Sequence, residues 1–107
     1  MTESEFAVLA EAALAALERA FEAGAPDADV QRKGEGVLEI EFEDGSKMVI
    51  NRHAAAREIW VAARSGGHHF RHDGGSWRDT RDGTELFAVV SRLASEQAGS
   101  AVVLRPG

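Results

Sequence analysis

The stretch Val37-Leu38-Glu39-Ile40-Glu41-Phe42-Glu43-Asp44-Gly45-Ser46-Lys47-Met48-Val49-Ile50-Asn51 decides the fold. Leu38, Ile40 and Phe42 fall on one side of an extended chain, and Glu39, Glu41 and Glu43 on the other. A period of two, apolar on one side and charged on the other, marks a half-buried antiparallel strand. Met48 and Ile50 continue the apolar side after a turn, with Lys47, Val49 and Asn51 opposite. The turn sets the register. A two-residue Asp44-Gly45 loop would place Phe42 against Lys47, an apolar side chain against a charge. A three-residue loop, Glu43-Asp44-Gly45 with a left-handed glycine, instead predicts Ile40 against Met48 and Leu38 against Ile50. It also predicts Glu41 against Lys47 on the outer side, a favourable cross-strand pair.

Outward from this hairpin the pattern changes. Phe6, Leu9, Ala10, Ala13, Leu14, Leu17, Ala20 and Phe21 recur at steps of three and four, the stripe of an amphipathic helix. Thr2 with Glu5 predicts a capping box, and Gly24 with Pro26 a stop. Pro26 to Gly36 reads as a polar loop. After the hairpin, Ile59, Val61 and Ala63 alternate with Glu58, Trp60, Ala62 and Arg64. His68 to His72 and Ser76 to Thr80 are two further strands, flanked by Gly66-Gly67 and split by Asp73-Gly74-Gly75. A second helix is expected from about Gly83 to Gln97, striped by Leu86, Phe87, Val90, Leu93 and Ala94, with Asp82 and Glu85 as caps and Gly99 as stop. Ala101 to Leu104 is an apolar tail that either packs between the helices or adds an edge strand. The fold class is therefore α+β. It is a two-layer sandwich in the order α-β-β-β-β-β-α, with both helices on one face of an antiparallel sheet. The whole chain, 1–107, reads as one domain.

Charge is unevenly spread. Met1 to Gly45 holds 12 Asp and Glu against 3 Arg and Lys, and Ser46 to Gly107 holds 6 against 9. The net charge of -6 thus divides into an acidic half and a mildly basic one. Self-repulsion within one half opposes folding, so the gradient points to cations or a basic partner. It argues against nucleic acid, whose phosphates need a basic face. No apolar stretch has membrane-spanning length, and no membrane partner is expected. The chain has no cysteine, which excludes disulfides, thiolate zinc sites and a cysteine nucleophile. The opening Met-Thr-Glu-Ser-Glu-Phe lacks the features of a secretory or transit peptide, so a cytoplasmic protein is expected.

On the solvent side of the sheet, parity places Glu39, Glu41, Lys47, Asn51, Trp60 and Arg64. Trp60 there reads either as an interface anchor or as a ring half-covered by its neighbours. His68, His69, His72 and Asp73 cluster in sequence, but alternation sends His69 towards Trp60 and His68 with His72 to the other face. No designed metal site is expected from them. His53 reads as a loop residue. Enzyme chemistry has little support. There is no Gly-x-Ser-x-Gly elbow, and the paired Glu-x-x-His motifs of a di-iron site are absent.

The run Gly36 to Arg52 resembles the central hairpin of the frataxin family in its short bacterial form. The likeness continues through Glu58-Ile59-Trp60-Val61-Ala62, Gly66-Gly67-His68-His69-Phe70, Ser76-Trp77 and Gln97-Ala98-Gly99, and includes Ser4-Glu5-Phe6 and Leu9-Ala10. It spans essentially the whole chain, and Asn51-Arg52 with a tryptophan nine residues after the asparagine is its most specific part. The resemblance implies the same helix-sheet-helix sandwich. It implies a mostly monomeric, non-enzymatic iron-binding regulator or iron donor in iron–sulfur cluster assembly. Such a protein docks on a cysteine desulfurase and an iron–sulfur scaffold protein. The alternative is an acidic adaptor of the same machinery with no physiological metal. Weakly bound iron, with no organic cofactor, is implied at Glu11, Glu18, Glu22, Asp27 and Asp29. Glu11 and Glu18, seven residues apart, fall on roughly one side of the first helix. Partner contact is implied at Glu39, Glu41, Asn51, Arg52, Trp60 and His69, with the open sheet face meeting the scaffold. The chain departs from the family where Arg19 and Ala23 to Pro26 interrupt the acidic run at the end of the first helix.

Overall fold

A computed structural model describes residues 1–106. Helix α1 spans Glu3–Gly24. Its first turn is closed by the expected box: Thr2 accepts from the Glu5 amide at 3.1 Å, and Glu5 accepts from the Thr2 amide at 2.8 Å. Six strands follow: β1 Asp29–Arg32, β2 Val37–Glu41, β3 Lys47–His53, β4 Glu58–Ala63, β5 Gly66–Asp73 and β6 Ser76–Asp79. They form one sheet in chain order, each antiparallel to the next. Helix α2 spans Leu86–Ala98. Helix α1 crosses β1, β2 and β3, and α2 meets β6.

The hairpin register is the one the three-residue loop predicts: Leu38 pairs with Ile50, Ile40 with Met48 and Glu41 with Lys47. Gly45 takes φ +86° and its amide donates to the Phe42 carbonyl at 2.9 Å, the left-handed turn position that favours glycine. Leu38, Ile40, Met48, Ile50, Ile59, Val61 and Phe70 turn inward against Phe6, Leu14, Leu17, Phe21, Leu86 and Leu93, forming one buried core. Each such side chain contributes roughly 1.5–3 kcal/mol when fully withdrawn from water.

Three expectations need correction. The segment Pro26 to Gly36 contains strand β1, so the sheet has six strands and not five. β1 is short and largely exposed, and only its pairing to β2 makes it a strand. Helix α2 begins at Leu86, later than expected. Glu85 itself is the N-cap, accepting from the Phe87 and Ala88 amides, while Asp82 caps the preceding turn through the Thr84 amide. His53 is the last residue of β3, not a loop residue.

The tail adds no strand. Val102 and Leu104 are buried, and Ser95 and Ser91 of α2 accept from their amides at 2.9 Å each. Two serines one helical turn apart thus stand in for a neighbouring strand. A Cβ on Gly24 would come within 2.8 Å of the Val103 carbonyl oxygen, so the tail's approach to α1 needs glycine there.

Candidate functional site

Two surfaces carry the sequence-predicted residues. The first is the sheet face away from the helices. Asn51 pairs with Trp60, and Trp60 with His69. His53 lies two residues beyond Asn51 and so shares its face. The Trp60 indole is sandwiched: the His53 ring stacks at 3.9 Å and 8°, and the His69 ring at 4.5 Å and 9°. Both flat faces of the tryptophan are covered, and the two imidazoles present their outer faces instead.

Glu58 holds this stack together. It lies on the same side of β4 as Trp60 yet is only 6% exposed. Its carboxylate accepts from Trp60 Nε1 at 2.8 Å and from Arg71 Nε at 2.8 Å, and His69 Nδ1 lies 3.6 Å away. Burial pushes the Glu58 carboxyl up, but the hydrogen bonds from Trp60 and Arg71 outweigh it and hold the group below its ordinary range. Glu58, His53 and Arg71 were not expected at a site. The signal for Glu58 was its parity with Trp60 in Glu58-Ile59-Trp60.

The partner-contact residues do not all share this face. Arg52 pairs with the fully buried Ile59, so it takes the helix side of the sheet and reaches the rim. There its guanidinium binds Glu35 at 2.7 Å and packs over Gly36, where a Cβ would meet it at 2.6 Å. Arg64 also leaves the open face. It donates to Asp44 at 3.0 Å and to the Glu96 carbonyl at 3.2 Å, bridging the hairpin turn to the end of α2. Glu39 stays on the open face between Lys33 at 3.6 Å and Lys47 at 3.8 Å, and Glu41 pairs with Asp29 and Lys47 across the strands.

The second surface is acidic. Glu11 and Glu18 do lie together, and Arg32 of β1 joins them. Its Nη2 and Nη1 donate to Glu11 at 2.7 and 3.3 Å, and its Nε to Glu18 at 3.2 Å. The arginine holds the Glu11 carboxyl below its ordinary range, and Glu11 in turn raises Arg32. Glu22 is exposed near the end of α1. Asp27 lines a groove of about 620 Å³ between the helix ends and the hairpin turn, with Glu43, Asp44, Arg64 and Glu96. Asp29 takes the open-face side of β1 opposite Glu41 and accepts from Gln31. The five carboxylates therefore do not converge: Glu11 and Glu18 share Arg32, Glu22 stands exposed on α1, Asp27 lines the groove and Asp29 lies on the open face. Among the described residues no three His, Cys, Asp or Glu side chains are grouped to hold a metal ion. A closed coordination shell does not fit here; exposed single carboxylates offering hard oxygen donors do.

A family model described as a frataxin-like domain matches residues 1–100. The iron-sulfur cluster assembly protein CyaY of Dechloromonas aromatica is 60% identical over 105 residues, covering 98% of this chain and 100% of that protein. The protein of the same name from Paraburkholderia phymatum is 47% identical over 106 residues, covering 99% and 100%. Among solved structures, frataxin from Psychromonas ingrahamii superposes with a TM-score of 0.87 at 32% identity, covering 96% of this chain and 97% of that one. Trimeric frataxin from the yeast Saccharomyces cerevisiae, in a ferrous complex, gives 0.66 at 25% identity, covering 94% and 88%.

Proposed function

This chain belongs to the frataxin-like family, and we propose that it serves iron–sulfur cluster assembly as a regulator or iron donor that docks on the assembly machinery. The observation that carries the docking reading is the open sheet face. A tryptophan stacked between two histidines, and fixed by a nearly buried carboxylate, is held in place before any partner arrives. Such a face presents rigid rings at low entropy cost, which is what an interface anchor requires. We assign this face to the scaffold protein, and the acidic end of the molecule to a basic surface of the cysteine desulfurase. Iron is then cargo, held weakly by exposed carboxylates such as Glu22 and Asp27. We propose no catalytic role, and action in the cytoplasm.

The alternative, an adaptor of the same machinery that carries no metal, draws on one observation: Arg32 already occupies Glu11 and Glu18.

Binding to purified desulfurase and scaffold tests the proposal. Trp60→Ala should weaken scaffold binding while the circular dichroism of the fold persists. Glu22→Lys with Asp27→Lys should weaken desulfurase binding, more at low salt than at high. Unchanged affinity of both variants for both partners at low salt would refute the docking assignment.

A further inference from the structure

Arg32 is the feature of the acidic surface that the family reading does not use. It sits at the end of edge strand β1, opposite Leu38, and so takes the helix side of the sheet. From there its side chain lies against the polar side of α1. Both oxygens of Glu11 and one of Glu18 accept from it. A guanidinium is a planar, permanently charged fork that matches carboxylates in this way. The other nearby cations are committed elsewhere. Lys33 turns to Glu39 on the open face, and Arg52 is bound to Glu35 at the rim while its field still reaches Glu11.

We propose that Arg32 decides which carboxylates of this surface are open to a metal ion: while it is in place, Glu11 and Glu18 bind metal several-fold more weakly than they would without it, and metal is directed to the remaining acidic positions. A divalent ion entering between Glu11 and Glu18 would need the oxygens that already accept from the guanidinium. It would also have to expel Arg32, which stays tethered close by on β1 and repels it. The two carboxylates and one guanidinium leave a local charge of only -1, shared with the field of Arg52. Arg32 is thus a specificity-determining residue of the surface. It fastens β1 to α1 and weakens two of the five expected ligands. The inference rests on the reading that this surface carries metal as cargo.

The test uses the full chain and Mn²⁺ as a paramagnetic probe, read by broadening of backbone amides. In the wild type, amides around Glu22 and Asp27 should broaden first, and the Glu11 amide, about 16 Å along α1 from Glu22, only at higher Mn²⁺. In Arg32→Gln, the Glu11 amide should broaden at a Mn²⁺ concentration about three- to fivefold lower than in the wild type, the factor expected from releasing an exposed pair. Arg32→Lys keeps the charge without the fork and should give a smaller gain at the same place, so it keeps the test alive if the glutamine variant folds poorly. Adding Glu11→Gln and Glu18→Gln to Arg32→Gln should abolish the gain. Equal broadening at Glu11 in wild type and Arg32→Gln would overturn the proposal, as would no gain there in either Arg32 variant. A wild type that broadens nowhere would overturn the cargo reading, while the gain in Arg32→Gln remains readable on its own.

Discussion

Glu58 gives the sharpest handle on the open face. Its carboxylate is 6% exposed and carries two hydrogen bonds of 2.8 Å, from Trp60 Nε1 and Arg71 Nε. In Glu58→Ala the half-buried indole N–H loses its acceptor, and an unsatisfied donor costs about 1–3 kcal/mol. The Arg71 side chain is 69% exposed, so its bond is screened and adds only a few tenths of a kcal/mol. The sum is about 2 kcal/mol, or a fall in Tm of roughly 10 °C for a domain of this size. Glu58→Gln keeps an acceptor for the indole and loses only the charge, for about 1 kcal/mol. The pH dependence has a definite sign. The folded Glu58 carboxyl lies below its ordinary value of 4.5, so its stabilisation is fully present above that value. It is lost as pH falls through the lower folded value. Urea unfolding followed by far-ultraviolet circular dichroism from pH 7 to pH 3 measures this. The gap between wild type and Glu58→Gln should be widest near neutrality and close on acidification below 4.5. A gap under about 0.3 kcal/mol at pH 7, or one that persists unchanged at pH 3, would refute the claim that this carboxylate fixes the stack.

Three further perturbations follow from the structure. Gln97 is 5% exposed, accepts from the Arg64 amide at 3.2 Å and donates to Ser46 and the Lys47 carbonyl, so Gln97→Leu should cost about 2–3 kcal/mol in chemical denaturation. Ser91→Ala with Ser95→Ala removes the acceptors of the Leu104 and Val102 amides; it should cost about 2 kcal/mol and speed hydrogen exchange at those two amides before any others. Arg57 is the sole non-glycine residue with positive φ among those described, at +56°, and its Nε is buried without a partner. Arg57→Gly relieves that left-handed backbone but removes the bond from Arg57 Nη1 to the Ala54 carbonyl and loosens the unfolded chain, so stability, read from the denaturation midpoint, should move by less than about 0.5 kcal/mol.

The hairpin was legible because two independent constraints agree on it: the apolar period, and the pairing of Glu41 with Lys47 that only one loop length allows. Strand β1 was not. Asp29-Val30-Gln31-Arg32 has too few buried positions to show a period, and its partner strand dictates its conformation. The same limit hid the Arg32 clamp, since Arg32 and Glu11 are 21 residues apart and meet only through the fold. Parity served Trp60 and His69 well because both sit mid-strand. It failed for Arg64, where β4 ends at Ala63 and the side chain swings to the end of α2. His53 was lost for a similar reason, because a strand's last residue carries no further alternation to declare it.

The charge gradient of the sequence becomes something narrower in three dimensions. Among the described residues, five carboxylates of the first half are tied to cations: Glu11 and Glu18 to Arg32, Glu35 to Arg52, Glu39 to Lys33 and Lys47, and Asp44 to Arg64. Three of those cations, Lys47, Arg52 and Arg64, come from the basic half, so folding spends much of the imbalance internally. Glu3 and Glu5 serve the first turn of α1, where a negative charge meets the positive end of the helix dipole. Of the five other carboxylates left without an ion pair, Asp29 and Glu41 face each other on the open side of the sheet, and Glu22, Asp27 and Glu43 lie towards the opposite end of α1 and the hairpin turn. Helices α1 and α2 both finish there, around the same groove, and neither has a basic residue in its last turn. Two negative dipole ends therefore add to three free carboxylates at one pole. A basic partner would be drawn to that pole and away from the middle of α1, where Arg32 has already answered the charge.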